Sequence, residues 1–207
     1  MYKCIFDEIN KNFCKINSIL TAEKNNKYLQ KKLNMVDIYR EIQGRYRGCK
    51  IDPTFEELYS SFYMMNRFVT DSFKKAYFQI LKDASKGEKF THDAVAERLE
   101  GYKNTRGEDR YQLSFISKLL HTIDDSVPIY DRNIRKVLHL SAIKGSTYSD
   151  KVKNGKIILG KISSIYDEFS KDSFIIGVIS GFTSLAGIGD VKKFDFLLWA
   201  YYYMKHI

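Results

Sequence analysis

The 207-residue sequence contains only two prolines, Pro53 and Pro128, so long stretches are free of the strongest helix breaker. It has no run of about 18 apolar residues, and no segment is therefore expected to span a membrane. The N-terminal residues become charged too early for a secretory signal, which predicts a cytoplasmic location. The three cysteines, Cys4, Cys14 and Cys49, lack CxxC spacing. This pattern predicts reduced thiols, with no metal site and no other cofactor.

The sequence does contain a surplus of positive charge, +9 at neutral pH. Residues 1–50 hold eleven Lys/Arg against five Asp/Glu, whereas residues 51–100 hold seven against nine. Residues 101–150 hold eight against six, and residues 151–207 hold eight against five. Such a field favours partners rich in phosphate, but a lysine-rich solvated surface explains the charge equally well.

Apolar residues recur at helical spacing along most of the chain, and no strand pattern stands out. We therefore predict an all-α fold of roughly ten helices, with residues 1–207 forming one helical unit. A first helix carries an apolar stripe from Ile5 to Ile16, and a second is predicted over residues 22–45. Thr54 and Asp71 are predicted to cap two later helices. Residues 190–206 form the last helix, whose aromatic side chains are expected to pack in the core, with base stacking as the alternative.

Residues 127–138, Val-Pro-Ile-Tyr-Asp-Arg-Asn-Ile-Arg-Lys-Val-Leu, join a proline-stiffened extended stretch to a basic helix. Asp131 stands where it can cap that helix through its side chain. The free backbone amides and the helix dipole also favour an anion at this position.

This segment resembles the helix-hairpin-helix DNA glycosylases, particularly their adenine and 8-oxoguanine branches. In that family, a Pro-hydrophobic-hydrophobic-Asp stretch precedes a basic amphipathic helix that ends in Val-Leu. Residues 73–99 also resemble the two helices that precede the family's hairpin. The resemblance covers residues 54–140, under half of the chain. It implies two lobes that share a cleft, with residues 51–140 as the glycosylase-like core and residues 1–50 together with 141–207 as the other lobe.

The resemblance implies that DNA is the partner, bound through its phosphate backbone and through a base flipped out of the duplex. Asp131 is then the catalytic candidate, because a carboxylate stabilises the cation that forms on the sugar when a base leaves. Arg132, Asn133, Arg135 and Lys136 are the candidate DNA ligands beside it. The alternative for Asp131 is a helix cap without chemistry.

The sequence departs from the family where a nucleophilic lysine is expected, about 18 residues before the Asp. Leu113 occupies that position. The available amines are Lys118, a candidate catalytic residue thirteen positions before Asp131, and Lys103, a candidate DNA ligand. A surface lysine or one that contacts the DNA backbone is the alternative for both.

The pattern Leu-Ala-Gly-Ile-Gly at residues 185–189, called the glycine turn below, fits a turn whose backbone amides approach a phosphate. Gly187, Gly189, Lys192 and Lys193 are therefore candidate DNA ligands. The turn follows Asp131, which is the reverse of the family order. A plain corner between two helices explains the pattern equally well.

Three functions remain open at this point. The first is a DNA N-glycosylase that removes a damaged or modified base. The second is a catalytically inactive DNA-binding module on the same scaffold, which the missing hairpin and the missing aligned lysine favour. The third is a helical protein-interaction or regulatory protein, whose protein partner the sequence does not identify.

Overall fold

The computed structural model describes residues 2–108 and 110–206, and in this part of the chain it is predominantly helical. The all-α prediction is therefore confirmed at the level of fold class. The helices are α1 (Lys3–Lys11), α2 (Phe13–Thr21), α3 (Met35–Arg47), α4 (Pro53–Phe62), α5 (Met65–Phe68), α6 (Asp71–Ser85), α7 (His92–Arg98), α8 (Leu113–Ile123), α9 (Arg132–Val137), α10 (Tyr148–Phe169), α11 (Ser173–Ser180) and α12 (Asp190–His206).

The N-terminal region differs from the prediction because asparagines interrupt the helical pattern. The stripe from Ile5 to Ile16 is split between α1 and α2 at Asn12, whose side-chain amide donates to the carbonyl of Glu8 at 2.8 Å. Asn26 then accepts the backbone N–H groups of the two residues that follow Lys27 in the chain. Side chains that bond their own backbone in this way compete with helix formation.

A small antiparallel sheet therefore replaces the first half of the helix predicted over residues 22–45. Its strands are β1 (Lys24–Asn26) and β2 (Lys31–Leu33), with Lys24 opposite Leu33. Helix α3 begins only at Met35, where Asn34 caps it by accepting two backbone N–H groups. The exposed lysines of this sheet gave no apolar alternation from which the strands could be predicted.

Two predicted caps lie one or two residues away from their predicted positions. Asp52, and not Thr54, caps α4, because Pro53 occupies the first helical position, where its missing N–H costs nothing. Thr70, and not Asp71, caps α6 and accepts the N–H of the residue at position 73.

One connected apolar core extends through the described chain from Ile5 to Met204. Helix α12 packs against α2 and α9, and α11 packs against α1, so both ends of the described chain share this core. Helix α8 is buried along most of its length and packs against α6 and α7. The division into two lobes stays a prediction.

Among the described residues, none of the helices is both long and apolar enough to cross a lipid bilayer.

Candidate functional site

A pocket of about 640 Å³ opens between α8, the start of α9 and α12, with the end of α4 and the short helix α5 closing another side. This volume is within the range of pockets that bind small organic molecules. Seven aromatic residues contribute to its wall: Phe62, Tyr63, Phe68, Phe115, Tyr130, Phe196 and Trp199. The charged residues of the wall are Lys118, Asp131, Arg132, Arg135, Lys192 and Asp195. The pocket therefore combines stacking surfaces with both signs of charge.

The extended segment before Asp131 is fixed onto α8 by hydrogen bonds to buried side chains. The backbone N–H of Tyr130 donates to Ser117 Oγ at 3.0 Å. His121 Nδ1 lies 2.7 Å from the carbonyl oxygen of Val127, which can only accept, so this nitrogen carries the proton. The other ring nitrogen of His121 then accepts from the hydroxyl of Tyr39 at 3.0 Å. These bonds set the position at which α9 begins.

Asp131 caps α9, as the sequence predicted. Its Oδ1 accepts the backbone N–H groups of Asn133 and Ile134, both at 2.8 Å. Because both bonds end on Oδ1, the cap does not use Oδ2. The half-buried Asp131 carboxylate also belongs to the pocket wall. One side chain can thus hold the helix start and still offer a charged oxygen to a ligand.

Lys118 extends from α8 into the same pocket, between two aromatic rings. Its Nζ lies 5.5 Å from the ring centre of Tyr63 and 5.2 Å from that of Phe115, and it donates to Ser114 Oγ at 2.9 Å. Burial lowers the pKa of this ammonium, while the charges of Asp131 and Asp195 act in the opposite direction. Lys118 and Asp131, the two catalytic candidates, thus line the same pocket.

Lys192 lies inside the protein, unlike the phosphate-binding surface lysine that the sequence predicted. It is only 3% exposed and forms an ion pair with Asp195, which is 6% exposed. Its Nζ also lies 4.5 Å from the ring centre of Phe196. Burial raises the pKa of Asp195, and the charge of Lys192 opposes that effect. The charge of Lys192 is therefore balanced by Asp195 within the fold.

The remaining candidates of α9 differ in whether they line the pocket. Arg132 is exposed, and Asn133 and Arg135 are half-buried; all three contribute to the wall. Lys136 is exposed outside this wall, and its Nζ donates to the hydroxyl of Tyr202 at 3.0 Å. Lys103 is exposed on the loop that follows α7, also outside the wall.

The glycine turn is held by protein groups and lies outside the pocket wall. The guanidinium of Arg40 donates to the carbonyls of Ser184 and Ala186, both at 2.8 Å. Gly187 has φ +74°, a left-handed conformation that other residues adopt at a cost. The turn thus has the backbone form that the sequence predicted for residues 185–189.

The charges around the glycine turn differ from those that a phosphate site needs. A Cβ on Gly189 would lie 3.6 Å from the carboxylate of Asp125, which pairs with Arg47. Lys193 pairs with Asp190 at 2.9 Å. Because acidic groups stand beside the turn and beside its lysine, this geometry supports a structural corner better than a DNA contact.

Sequence reasoning missed Asp195, which completes the charged group in the pocket. The signal was available in α12, because Lys192, Asp195 and Trp199 follow one another at spacings of three and four residues. Residues at these spacings lie on one helix face. Trp199 stacks on Tyr203 with ring centres 5.3 Å apart, while neighbours such as Phe194 are buried in the core. The aromatics of α12 thus serve both the core and the pocket wall.

Within the described residues, no group of three or more His, Cys, Asp or Glu side chains is arranged to hold a metal ion. Comparisons of the chain with protein-family models, with curated proteins and with solved structures find no match.

Proposed function

We propose that the pocket receives a base turned out of DNA and that the chain is a DNA N-glycosylase with a helix-hairpin-helix glycosylase-like fold. The observation that carries this proposal is the meeting of Asp131 and Lys118 in one aromatic-walled pocket. A flipped base needs flat apolar surfaces for stacking, and its release needs a charged group beside the sugar.

Asp131 supplies that charge. When the bond between C1′ of the sugar and the base nitrogen breaks, the electron pair leaves with the base and positive charge develops on the sugar. Oδ2 of Asp131, which the helix cap does not use, stabilises this cation until water adds to C1′ and releases its proton to solvent. The buried side chains of Pro128 and Ile129 precede Asp131 and lower the local dielectric, which strengthens the interaction.

Lys118 supplies a second route through the same pocket. Burial lowers the pKa of its ammonium and so increases the fraction of neutral amine, which is the nucleophilic form. The amine attacks C1′, and the base leaves with the electron pair of its bond. The attacking nitrogen then loses a proton, the bond between C1′ and the ring oxygen breaks, the ring oxygen takes up a proton, and a C1′=N imine forms. Reduction of the reaction mixture with borohydride traps a covalent protein–DNA adduct on this route and none on the water route.

Arg132 and Arg135 would contact DNA phosphates at the pocket mouth, with Lys136 adding charge beyond it. We place the protein in the cytoplasm, where the exposed thiols of Cys4, Cys14 and Cys49 stay reduced.

The experiment that tests the proposal measures base release from a panel of duplexes, each with one damaged or modified base. We expect release from at least one duplex, and a fall of about 100-fold or more in the Asp131→Asn variant, which keeps a capping oxygen but loses the charge. The matched control is Asp190→Asn, which removes an exposed carboxylate from α12. Release that Asp131→Asn leaves unchanged would contradict the role given to Asp131.

A second possible function is a DNA-binding module without chemistry. It is favoured by the hydrogen bonds that the two catalytic candidates, Asp131 and Lys118, already form within the protein. Asp131 already serves as a cap, and Lys118 is hydrogen-bonded to Ser114. This candidate predicts DNA affinity that falls steeply with salt, together with no base release from any duplex. Absence of DNA binding at low salt would contradict both candidates and favour a protein partner.

A further inference from the structure

Two residues of the pocket wall keep a buried polar atom without a hydrogen-bond partner among the described residues. These atoms are Oδ1 of Asp195 and the hydroxyl of Tyr63. A buried polar group without a partner costs about 1–3 kcal/mol, so folded proteins keep few of them. Their presence in one pocket indicates that something other than the fold satisfies them.

The two groups are complementary in kind, and both residues line the same pocket. Lys192 fixes the carboxylate of Asp195 through Oδ2, which leaves Oδ1 as an acceptor. The ring of Tyr63 is held by Tyr59 and Phe62, with ring centres 4.6 and 4.8 Å away, and its hydroxyl can donate. Burial, followed by nearby charges that include Asp195, raises the pKa of Tyr63, so this hydroxyl keeps its proton at neutral pH.

A stacking surface belongs to the same wall. Trp199 lies one helical turn after Asp195 on α12, and both residues contribute to the pocket. A flat ring that stacks on Trp199 would therefore lie about one helical turn along α12 from Asp195, and one edge of the ring can face Asp195. Both polar atoms are almost completely shielded from water. A ligand that enters the pocket therefore reaches them only when neighbouring side chains of the wall change rotamer, as is common on binding.

We propose that Asp195 and Tyr63 select heteroaromatic bases whose inserted edge has an N–H donor beside an acceptor. The N–H donates to Oδ1 of Asp195, and the acceptor receives the hydroxyl of Tyr63. This inference rests on the proposed function, in that it takes the pocket to be a base pocket. It adds the chemical class of base, which neither Asp131 nor Lys118 determines.

The proposal predicts strong discrimination against bases that lack the N–H group. Such a base would cover Oδ1 of Asp195 without satisfying it, and a hydrogen-bonding site of this kind rejects an analogue that lacks the donor. An affinity difference of about tenfold or more corresponds to one such missing bond.

The chain contains a single tryptophan, so its fluorescence reports on the pocket. We would titrate the full chain with adenosine and inosine, whose bases carry an N–H beside an acceptor, and with purine riboside, whose base carries no N–H. The expected result is quenching of Trp199 by at least one of the first two nucleosides, with an affinity at least tenfold higher than that of purine riboside. Equal affinities, or no quenching by any of the three at millimolar concentration, would overturn the proposal.

A matched pair of variants separates recognition from folding. Tyr63→Phe and Tyr166→Phe each remove a buried hydroxyl that has no partner, but only Tyr63 belongs to the pocket wall. Both variants should fold, because neither loses a hydrogen bond. We expect Tyr63→Phe to weaken binding of the preferred nucleoside several-fold and Tyr166→Phe to leave it unchanged. An equal effect of the two variants would overturn the assignment of Tyr63.

The acceptor is tested with the double variant Lys192→Met/Asp195→Leu, because Asp195→Asn alone would leave a buried ammonium unpaired. Replacing a buried ion pair with apolar residues generally preserves the fold. We expect this variant to stack nucleosides but to lose the preference for an N–H group, and a retained preference would overturn the role of Asp195. Nucleoside binding needs no chemistry. Preference without base release from DNA would therefore contradict the glycosylase alone, and base release without preference would contradict this inference alone.

Discussion

The pocket and the glycine turn show how differently one protein can use similar polar groups. At the turn, the guanidinium of Arg40 satisfies two carbonyls, and the carboxylate of Asp125 pairs with Arg47 beside Gly189. In the pocket, Oδ1 of Asp195 and the hydroxyl of Tyr63 have no partner among the described residues. Polar groups that the fold already satisfies act as structure, whereas polar groups that it leaves unsatisfied in a cavity are available to a ligand.

Neighbouring lysines provide the sharpest test of this comparison, because Lys192 belongs to the pocket and Lys193 lies near the turn. Lys192→Ala would leave the charge of Asp195 buried and unpaired, and we expect it to lower the free energy of unfolding by about 3–5 kcal/mol. Lys193→Ala breaks a pair with an exposed carboxylate and should cost less than about 1 kcal/mol. Urea denaturation measures both changes. Equal losses in the two variants would show that burial does not separate these lysines.

The pH dependence of stability tests how firmly the segment before Asp131 is held. Burial, assisted by the charge of Lys192, lowers the pKa of His121 from 6.5 to about 3. Between these pH values the unfolded chain binds a proton that the folded chain refuses, so folding loses free energy as the pH falls from 6.5 toward 3. The loss is a few kcal/mol, and it is absent above pH 6.5.

The variant His121→Asn isolates this effect from the titration of carboxylates. Asparagine keeps a donor for the carbonyl of Val127 but does not titrate. We expect thermal melting of the wild type to fall more steeply with acid than that of the variant. Parallel melting profiles between pH 6.5 and pH 4 would contradict a buried neutral histidine that holds the segment before Asp131.

Substitutions in the glycine turn should lower the stability of the protein in the absence of any ligand. Gly187→Ala forces a side chain into the left-handed conformation at φ +74°, and we expect a cost of about 1–2 kcal/mol. Gly189→Ala adds a Cβ at an ordinary contact distance from Asp125. Because Gly189 directly precedes α12, where glycine is a better helix cap than alanine, the variant should cost about 0.5 kcal/mol. Thermal denaturation gives both values. A large loss of DNA affinity in either variant at unchanged stability would restore the turn as a DNA contact.

The cap at Asp131 includes the variant with the smallest expected effect on stability, Asp131→Asn. Asp131→Ala removes the acceptor of two backbone N–H groups and should lower the free energy of unfolding by about 1 kcal/mol. Asp131→Asn keeps that acceptor and should lower it by a few tenths, since only the charge at the helix start is lost. Circular dichroism melts of the two variants test this difference, and equal destabilisation would mean that the cap depends on charge.

The fold could be predicted best where local signals act alone. The helical period, the cap at Asp131 and the turn at residues 185–189 all depend on residues within one or two turns of each other. The prediction was wrong at residues 24–33, where the side-chain bonds of Asn26 turn a polar stretch into a hairpin. No hydrophobic period distinguished that hairpin from the helix predicted over residues 22–45.

The candidate pocket was only partly predictable. Asp131 and Lys118 were chosen as candidates from the sequence, and the structure brings them into one pocket wall with Arg132 and Arg135. The role of Lys192 could not be predicted, because whether a lysine is solvated or buried depends on which face of α12 meets the core.

By itself, the sequence determined that the chain is helical, that Asp131 begins a basic helix and that residues 185–189 form a tight turn. The reason is that backbone conformation and capping are set by neighbouring residues. Only the tertiary structure decided that Lys118 and Asp195 share a pocket with Asp131, and that the polar groups of the glycine turn are satisfied internally. These relations join positions as far as 146 residues apart, from Arg40 to Ala186, and packing of the whole core brings such positions together.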